Sequence, residues 1–210
     1  GVHYTDMGGL FFVTRQQLEL HDRYAAAGLS AVLGMGSAPG VPNIQARYAA
    51  DRLDRIEYIR IYDGILPPPT DEPLFTYSVP TIVDELTLEP MVFEAGRFEA
   101  RPPLTGFEDY WFSPPIGLLP MHYSLHSEVA TLPVTYKDKG VQECFFKINY
   151  WGMAKEVVEK IRVLVEFGFD SGQPVEVNGV QISPRDLMVN MLSGYVPPIT
   201  TFLEPPTRKP

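Results

Sequence analysis

The chain has 210 residues, of which 45% are hydrophobic and 20% charged, as is typical of a globular protein. Its net charge of -9 argues against nucleic acid and anionic membranes as partners, since both attract clustered Lys and Arg, and no apolar run reaches the roughly 18 residues of a membrane span. The single cysteine, Cys144, excludes an internal disulfide and a cysteine-based metal site, and a cytoplasmic location is expected.

The first fifty residues predict alternating strands and helices. In chain order these are a strand over 3–6, a helix that begins at a capping box of Thr14 and Gln17 and ends at Gly28, a strand over 29–33, and a helix from about Pro42. This alternation is typical of a parallel sheet.

From residue 55 onward the pattern changes. It predicts strands over 56–62, 87–93, 129–135 and 142–148, a stiff proline connector at 66–69, a helix over 153–167, a hairpin turning at Asn178-Gly179, and a last helix after the N-cap Ser183. We expect an irregular tail after residue 194. An α+β fold follows, in which a short α/β segment precedes a mainly antiparallel sheet covered by helices on one face.

Two candidate ligand-binding features lie where strands of the first segment end. The glycine-rich turn at residues 34–40 follows a strand, and backbone can approach a ligand closely there. Its spacing matches neither GxGxxG nor a P-loop, and a tight turn without a ligand is the alternative. Tyr4 and Asp6 end the first strand at the same edge. Asp6 could hold an amino group or act as a base, or it could simply cap a turn.

A third candidate is the segment His122 to Glu128, with histidines four residues apart. In a helix that spacing suits zinc, and a zinc hydrolase is one hypothesis. We instead expect extended structure, which would hold the two histidines about 13 Å apart, too far for one metal ion. His126 is a candidate for proton transfer, with a structural histidine as the alternative. Cys144 is expected to be a core residue.

Taken in order, these motifs resemble the saccharopine dehydrogenase and lysine epsilon-dehydrogenase family. The resemblance runs over roughly the first 140 residues. The segments that carry it are His3-Tyr4-Thr5-Asp6-Met7-Gly8-Gly9, Gly36-Ser37-Ala38-Pro39-Gly40-Val41-Pro42-Asn43, Tyr62-Asp63-Gly64-Ile65-Leu66-Pro67, Phe75-Thr76-Tyr77-Ser78 with Pro80-Thr81, and His126-Ser127-Glu128-Val129-Ala130-Thr131-Leu132-Pro133.

The resemblance implies an oxidoreductase that uses NAD or NADP at a C–N bond of an amino acid. Residues 1–54 would be the C-terminal part of a Rossmann-like dinucleotide domain, and residues 55–210 a substrate-binding and dimerisation domain. The family's cofactor-binding front half, with its GxGxxG turn, is not in this sequence, so we expect the chain alone to bind no dinucleotide and to be inactive. We also expect the complete gene to begin earlier, and the protein to be a homodimer.

The same resemblance implies roles for individual residues. It makes Asp6 and His126 catalytic. Substrate-binding roles fall on Tyr4, Tyr77, Thr81 and Ser127; cofactor-binding roles fall on Gly36, Pro39 and Gly40; no metal is implied.

The chain departs from saccharopine-forming members of the family at two positions. Thr81 stands where they carry an arginine, and Leu125-His126-Ser127-Glu128 stands where they carry Asn-Arg-Asp-Ser. Saccharopine has three carboxylates that need cationic partners, so the resemblance implies a smaller amino acid or an amine as substrate. A non-catalytic binding or dimerisation module derived from the family is the alternative.

Overall fold

The computed structural model describes residues 1–65, 77–149 and 155–194. The predicted proline connector at 66–69, the start of the helix predicted from 153 and the predicted tail after 194 lie outside these ranges. Within them, no helix combines the length and the apolar composition needed to cross a membrane.

The first segment is a small parallel α/β unit, as predicted. Its elements are β1 (Tyr4–Thr5), α1 (Phe11–Leu18), α2 (His21–Ala26), β2 (Ala31–Val32) and α3 (Val41–Ala50). β1 and β2 pair in parallel, with Tyr4 opposite Ala31. Pro42 lies in the first turn of α3, where its missing N–H costs no hydrogen bond.

The predicted capping box is wrong. α1 begins at Phe11, so Thr14 lies inside the helix, where it is buried and its N–H donates to the carbonyl of Leu10. Gln17 points away from the helix start and bonds to β1 instead. The sequence pattern failed here because the polar side chains of α1 serve tertiary contacts rather than its cap.

A curved, mainly antiparallel sheet forms the second segment, together with two helices. The elements are β3 (Tyr58–Gly64), α4 (Val79–Thr87), β4 (Met91–Glu94), β5 (Arg97–Ala100), β6 (Glu108–Trp111), β7 (Leu118–Tyr123), α5 (Glu128–Thr135) and β8 (Glu143–Asn149). β8 is the central strand. β3 runs parallel along one edge of it, and β4 and β7 pair antiparallel with different parts of its other edge.

β8 divides the sheet into two faces, as its alternating sequence predicts. Cys144, Phe146 and Ile148 are almost fully buried in the hydrophobic core beneath α4 and α5. Phe145 and Lys147 point to the other face and are buried too. The predicted fold class is therefore confirmed, including helices packed on one face of the sheet.

Two predicted strands are partly or wholly helical. Residues 129–135 were expected to be extended but form α5, and Thr87 ends α4 rather than starting a strand. α5 packs between β8 on one side and α1 and α3 on the other. A helix buried on both sides has no polar face, so its short apolar sequence cannot be distinguished from a buried strand by periodicity.

The last elements follow their predictions. They are α6 (Lys155–Glu166), β9 (Val175–Val177), β10 (Val180–Ile182) and α7 (Pro184–Ser193). Asn178 and Gly179 both have positive φ, as a two-residue hairpin turn requires. The Ser183 hydroxyl accepts a hydrogen bond from the N–H of Asp186 at 3.1 Å and caps α7.

Candidate functional site

Asp6 joins three parts of the α/β segment. Its Oδ1 accepts a hydrogen bond from the Gly34 N–H at 2.8 Å, and its Oδ2 accepts one from Nε2 of Gln17 at 2.7 Å. The carboxylate therefore links the end of β1 to the turn after β2 and to α1. Tyr4 lies beside it, with its hydroxyl 3.3 Å from the same Gln17 nitrogen.

These hydrogen bonds also keep Asp6 ionised. Desolvation raises the pKa of Asp6, but the hydrogen bonds from Gly34, Gln17 and Tyr4 outweigh it, so the pKa is lowered overall. A carboxylate in this state binds cations and hydrogen-bond donors well and accepts a proton poorly. Its predicted role as a catalytic base stays a prediction.

The glycine turn after β2 is closed by its own backbone. The N–H of Gly36 donates to the carbonyl of Pro39 at 2.9 Å, and the N–H of Gly40 donates to Oδ1 of Asn43 at 3.1 Å. Gly40 has a φ of 134°, and a Cβ there would lie 2.1 Å from the carbonyl oxygen of Gly36. The turn therefore requires glycine at position 40.

A largely apolar cleft of about 700 Å³ opens beside this turn. Gly36 and Gly40 line it, together with Tyr24, Leu29 and Val32. The N–H groups of Gly34, Met35, Gly36 and Gly40 donate within the chain, so these four donors are not free to bind the phosphates of a dinucleotide.

A buried cluster around His126 lies on the sheet side of α5. Nδ1 of His126 is 2.9 Å from Oε2 of Glu128, and Nε2 is 3.6 Å from Oε1 of Glu85. The ring of His126 stacks on Phe146 at 3.7 Å. Oε2 of Glu85 also accepts a hydrogen bond of 2.5 Å from the Tyr77 hydroxyl. These contacts fix the plane of the imidazole and turn each of its nitrogens towards a carboxylate.

Charges around His126 favour its protonated form. Desolvation lowers the pKa of His126, but the hydrogen bond to Glu128 and the negative charges of Glu128, Glu85 and Asp63 raise it overall. The pKa of Asp63, near the end of β3, is also raised, and burial of its carboxyl group is the main cause. The cluster is thus a set of interacting titratable groups, which are common at functional sites.

Three further predicted substrate residues differ in how deeply they are buried. Ser127 is buried at the start of α5, and Thr81 is half-buried in the first turn of α4. Tyr77, just before α4, contacts the cluster through Glu85. Glu85 therefore links Tyr77 to His126, since it contacts both side chains. Ser127 is the residue that follows His126 in the chain.

One hydrogen bond links this cluster to the glycine turn. Nδ2 of Asn43, which caps the turn through its Oδ1, lies 3.2 Å from the hydroxyl of Thr131 on α5. That hydroxyl also bonds to the carbonyl of Glu128, and Thr131 lines the apolar cleft. The two groups of predicted site residues are therefore connected through the first turn of α5.

The histidine pair differs from its predicted geometry. His122 lies on β7 and His126 precedes α5, so the two do not share a strand. Nδ1 of His122 contacts the Tyr123 carbonyl at 3.0 Å. In the described part of the chain, no three His, Cys, Asp or Glu side chains are grouped to hold a metal ion.

Sequence reasoning missed Glu85 and gave no site role to Glu128 or Asp63. Glu85 lies on α4 beside Ile82, Val83 and Leu86, all of them buried. A glutamate on the apolar face of a helix is costly unless it has a partner, and that position was the signal that could have revealed it. Glu128 was weighed only as a metal ligand.

Comparisons with known proteins bear on the fold of the chain. No family model matches the chain. A curated carboxynorspermidine synthase from Vibrio cholerae serotype O1 is 24% identical over 179 residues, which cover 84% of this chain and 41% of that protein. The solved structure of apo histidine-tagged saccharopine dehydrogenase (L-Glu forming) from Saccharomyces cerevisiae matches with a TM-score of 0.53 and 18% identity, over 72% of this chain and 35% of that one.

The fold and the site define an α+β protein in which a parallel α/β unit with a glycine-lined cleft meets a sheet carrying a buried histidine–carboxylate cluster. Its fold is that of part of saccharopine dehydrogenase, and the resemblance that the motifs indicate is confirmed. The chain spans less than half the length of each of these two proteins.

Proposed function

We propose that this chain supplies the substrate-binding and catalytic portion of an NAD(P)-dependent oxidoreductase that acts on a C–N bond of an amino acid or amine. The observation that carries the proposal is the buried imidazole of His126, held between Glu128 and Glu85. It occurs in a chain whose fold matches part of an L-Glu-forming saccharopine dehydrogenase.

His126 is the proton-transfer group in this proposal. Its Nδ1 proton is held by Glu128, so Nε2 exchanges a proton with the substrate nitrogen. Stacking on Phe146 prevents the ring from turning away. Tyr77, Thr81 and Ser127 surround the substrate, and Tyr77 reaches the cluster through its bond to Glu85.

The cofactor expected for such an enzyme is NAD or NADP, which would supply hydride transfer when bound. The apolar, glycine-lined cleft would take one face of the nicotinamide ring, with Gly36 and Gly40 in its wall and Pro39 in the turn between them. Asp6 and Tyr4 hold that wall in place. Because the turn does not fit phosphates, the chain alone should not retain a dinucleotide. Micromolar binding of NADH to the chain would contradict this part of the proposal.

Pairing of two copies completes the proposal. Support comes from apolar side chains left exposed in the second segment, among them Phe167, Val175, Val180 and Met191. Exposed apolar side chains of this kind are available to an interface between two copies. We therefore propose a homodimer.

The alternative is a binding or dimerisation module that has lost its chemistry. Asp6 and the glycine turn use their hydrogen bonds within the chain, as groups with a purely structural role would. This observation favours the alternative. A screen of amino acids and amines with the polypeptide encoded by the complete gene, followed by NAD(P)H absorbance, separates the two. Turnover that is lost in His126→Gln supports the oxidoreductase; no turnover with any compound supports the module.

A further inference from the structure

Among the described residues, a second cleft of about 410 Å³ has no lining residue in common with the glycine-lined cleft or with the cluster around His126. It lies between α3 and residues 110–113 at the end of β6, and residues 59–62 of β3 line it between these two walls. Successive side chains of a strand point to opposite faces of its sheet. A cleft lined by four successive residues therefore runs along the edge of β3.

This edge of β3 has no partner strand within the described ranges. β3 pairs in parallel with β8 over all seven of its residues and with no other described strand. The carbonyl of Glu57 accepts a hydrogen bond from the N–H of Glu143, and the N–H of Ile65 is likewise directed to the end of β8. Alternate residues of a strand bond to the same neighbour, so odd-numbered residues face β8. The backbone N–H and C=O of Arg60 and Tyr62 therefore point outward, on the side of the cleft.

An open edge of this length is a template for a further strand. The seven residues of β3 contain no proline, and their register with β8 is unbroken. The other edge strands that the structure describes are shorter, since β5 and β6 have four residues each and β9 and β10 have three. β3 thus offers a longer row of backbone donors and acceptors than any of them, and it offers this row inside a cleft.

The walls of the cleft add side-chain chemistry to this edge. Arg60 donates from Nε to Oε1 of Glu143 at 2.6 Å, while its Nη groups make no hydrogen bond in the described part of the chain and can donate to a further carboxylate. Tyr110 stacks on Tyr62 at 4.0 Å and holds the end of β6 over β3. The neighbouring ring of Trp111 is 69% exposed, so a ligand in the cleft would find an uncovered aromatic surface.

From this arrangement we infer that the cleft binds an extended peptide segment of another protein, which pairs with the open edge of β3 as an additional strand. The outward backbone groups of Arg60 and Tyr62 form the main-chain hydrogen bonds, and alternate side chains of the peptide determine its selectivity. The free donors of Arg60 call for an acidic side chain beside them, and Trp111 calls for an apolar one. The inference goes beyond the proposed function, because it assigns a partner to a surface that the proposed chemistry does not use.

A second copy of this chain fits the edge less well than a peptide does. β3 of a second copy would lie between the same two walls, so α3 and Trp111 of each copy would meet before the two strands could pair. An extended segment carries no such walls and can enter along the cleft.

The test titrates a fluorescent pentapeptide, acetyl-Val-Glu-Val-Thr-Val-amide, with the polypeptide encoded by the complete gene and follows anisotropy. Saturable binding is expected, and Gln in place of the peptide's Glu should weaken it about two- to fivefold. Two N-methylated forms are compared, one methylated at its Val residues and one at Glu and Thr. One form should lose binding and the other keep it, because alternate residues of a paired strand face the same neighbour. No saturable binding, or equal binding of the two forms, would overturn the inference.

Variants of the protein then locate the site. Arg60→Gln should remove the preference for Glu over Gln in the peptide. The matched control Arg97→Gln should keep that preference, since Arg97 lies on β5 and also donates from Nε to a glutamate at 2.6 Å. Trp111→Ala truncates an exposed ring and should weaken binding about three- to tenfold. Unchanged peptide binding in both Arg60→Gln and Trp111→Ala would refute the site.

Hydrogen exchange reads the open edge itself. In the free polypeptide the amides of Arg60 and Tyr62 should exchange faster than those of Ile59 and Ile61, and the peptide should slow the exchange of the first pair. Slow exchange of Arg60 and Tyr62 without peptide, appearing as the protein concentration rises, would place a second copy at the edge and overturn the inference. These readouts do not depend on turnover. An active enzyme that binds no peptide refutes this inference alone, and peptide binding by an inactive polypeptide supports it.

Discussion

Oε2 of Glu128 lies 2.9 Å from Nδ1 of His126, and neither residue is more than 5% exposed. The pair lies at the start of α5, and the ring of Phe146 stacks on the imidazole. A buried imidazole bonded to a carboxylate has a defined proton position and a pKa set by that carboxylate. This relationship gives the first two predictions.

Removing the charge of Glu128 should lower the pKa of His126. Burial alone disfavours the imidazolium, and Glu128 is the largest of the groups that counteract it. In the unsubstituted chain the pKa of His126 should lie above its usual value of 6.5. In Glu128→Gln the pKa of His126 should be clearly lower than in the unsubstituted chain. NMR titration of the imidazole protons measures both. His122, whose pKa is lowered by burial, is the internal reference. Identical His126 curves would refute the coupling.

Protonation of His126 should make the stability depend on pH. Because its pKa is raised in the folded state, the stabilisation is fully present below the unfolded pKa and is lost as pH rises through the folded pKa. The free energy of unfolding should therefore fall as pH rises from about 6 into the alkaline range. Urea unfolding across this range should show a flatter profile for His126→Gln, and parallel profiles would contradict the account.

Asp6→Asn should destabilise the α/β segment. An amide replaces one of the two carboxylate oxygens by an NH₂ donor, which cannot accept from either the Gly34 N–H or Nε2 of Gln17. We expect a loss of about 1–3 kcal/mol in the free energy of unfolding. Chemical denaturation measures it, and Asp54→Asn, at an exposed position, should change little. Equal stability of the two variants would show that the hydrogen bonds of Asp6 to Gly34 and Gln17 do not stabilise the fold.

Gly40→Ala should distort the turn that lines the cleft. The new Cβ would meet the Gly36 carbonyl at a φ that disfavours any side chain. A cost of about 1–3 kcal/mol is expected. Gly172→Ala is the control, since nothing lies within 4 Å of its added Cβ. Thermal unfolding of the two variants compares them, and a Gly40→Ala chain as stable as the control would mean that the turn readily rearranges.

The proposed homodimer has a direct test. Light scattering at high protein concentration should give twice the mass of one chain, because association would cover the exposed apolar side chains of the second segment. A monomeric mass under the same conditions would count against the pairing role.

The parts of the fold that sequence predicted are those with strong local signals. The hairpin at Asn178-Gly179 needs two positive φ angles, and its residues supply them without tertiary help. The N-cap of α7 at Ser183 is likewise local. β8 was predictable because its alternation is maintained over seven residues.

The errors occur where tertiary contacts determine the structure. α5 was predicted as a strand because it is buried against both the sheet and the α/β segment, so its sequence lacks a polar face. Thr14 was taken for a cap because its burial could not be seen locally. The site shows the same limit. His126 was recognised from its chemistry, whereas its partner Glu85 comes from a helix 41 positions earlier in the printed chain, and no spacing rule joins them.

The central claim is that His126 and its carboxylates carry out proton transfer for an NAD(P)-dependent reaction at a C–N bond. The most direct measurement is NAD(P)H absorbance during a screen of amino acids and amines with the polypeptide encoded by the complete gene. The account predicts turnover with an amine-bearing substrate, and loss of that turnover in a His126→Gln variant that remains folded. No turnover with any compound, or full activity in the variant, would contradict it.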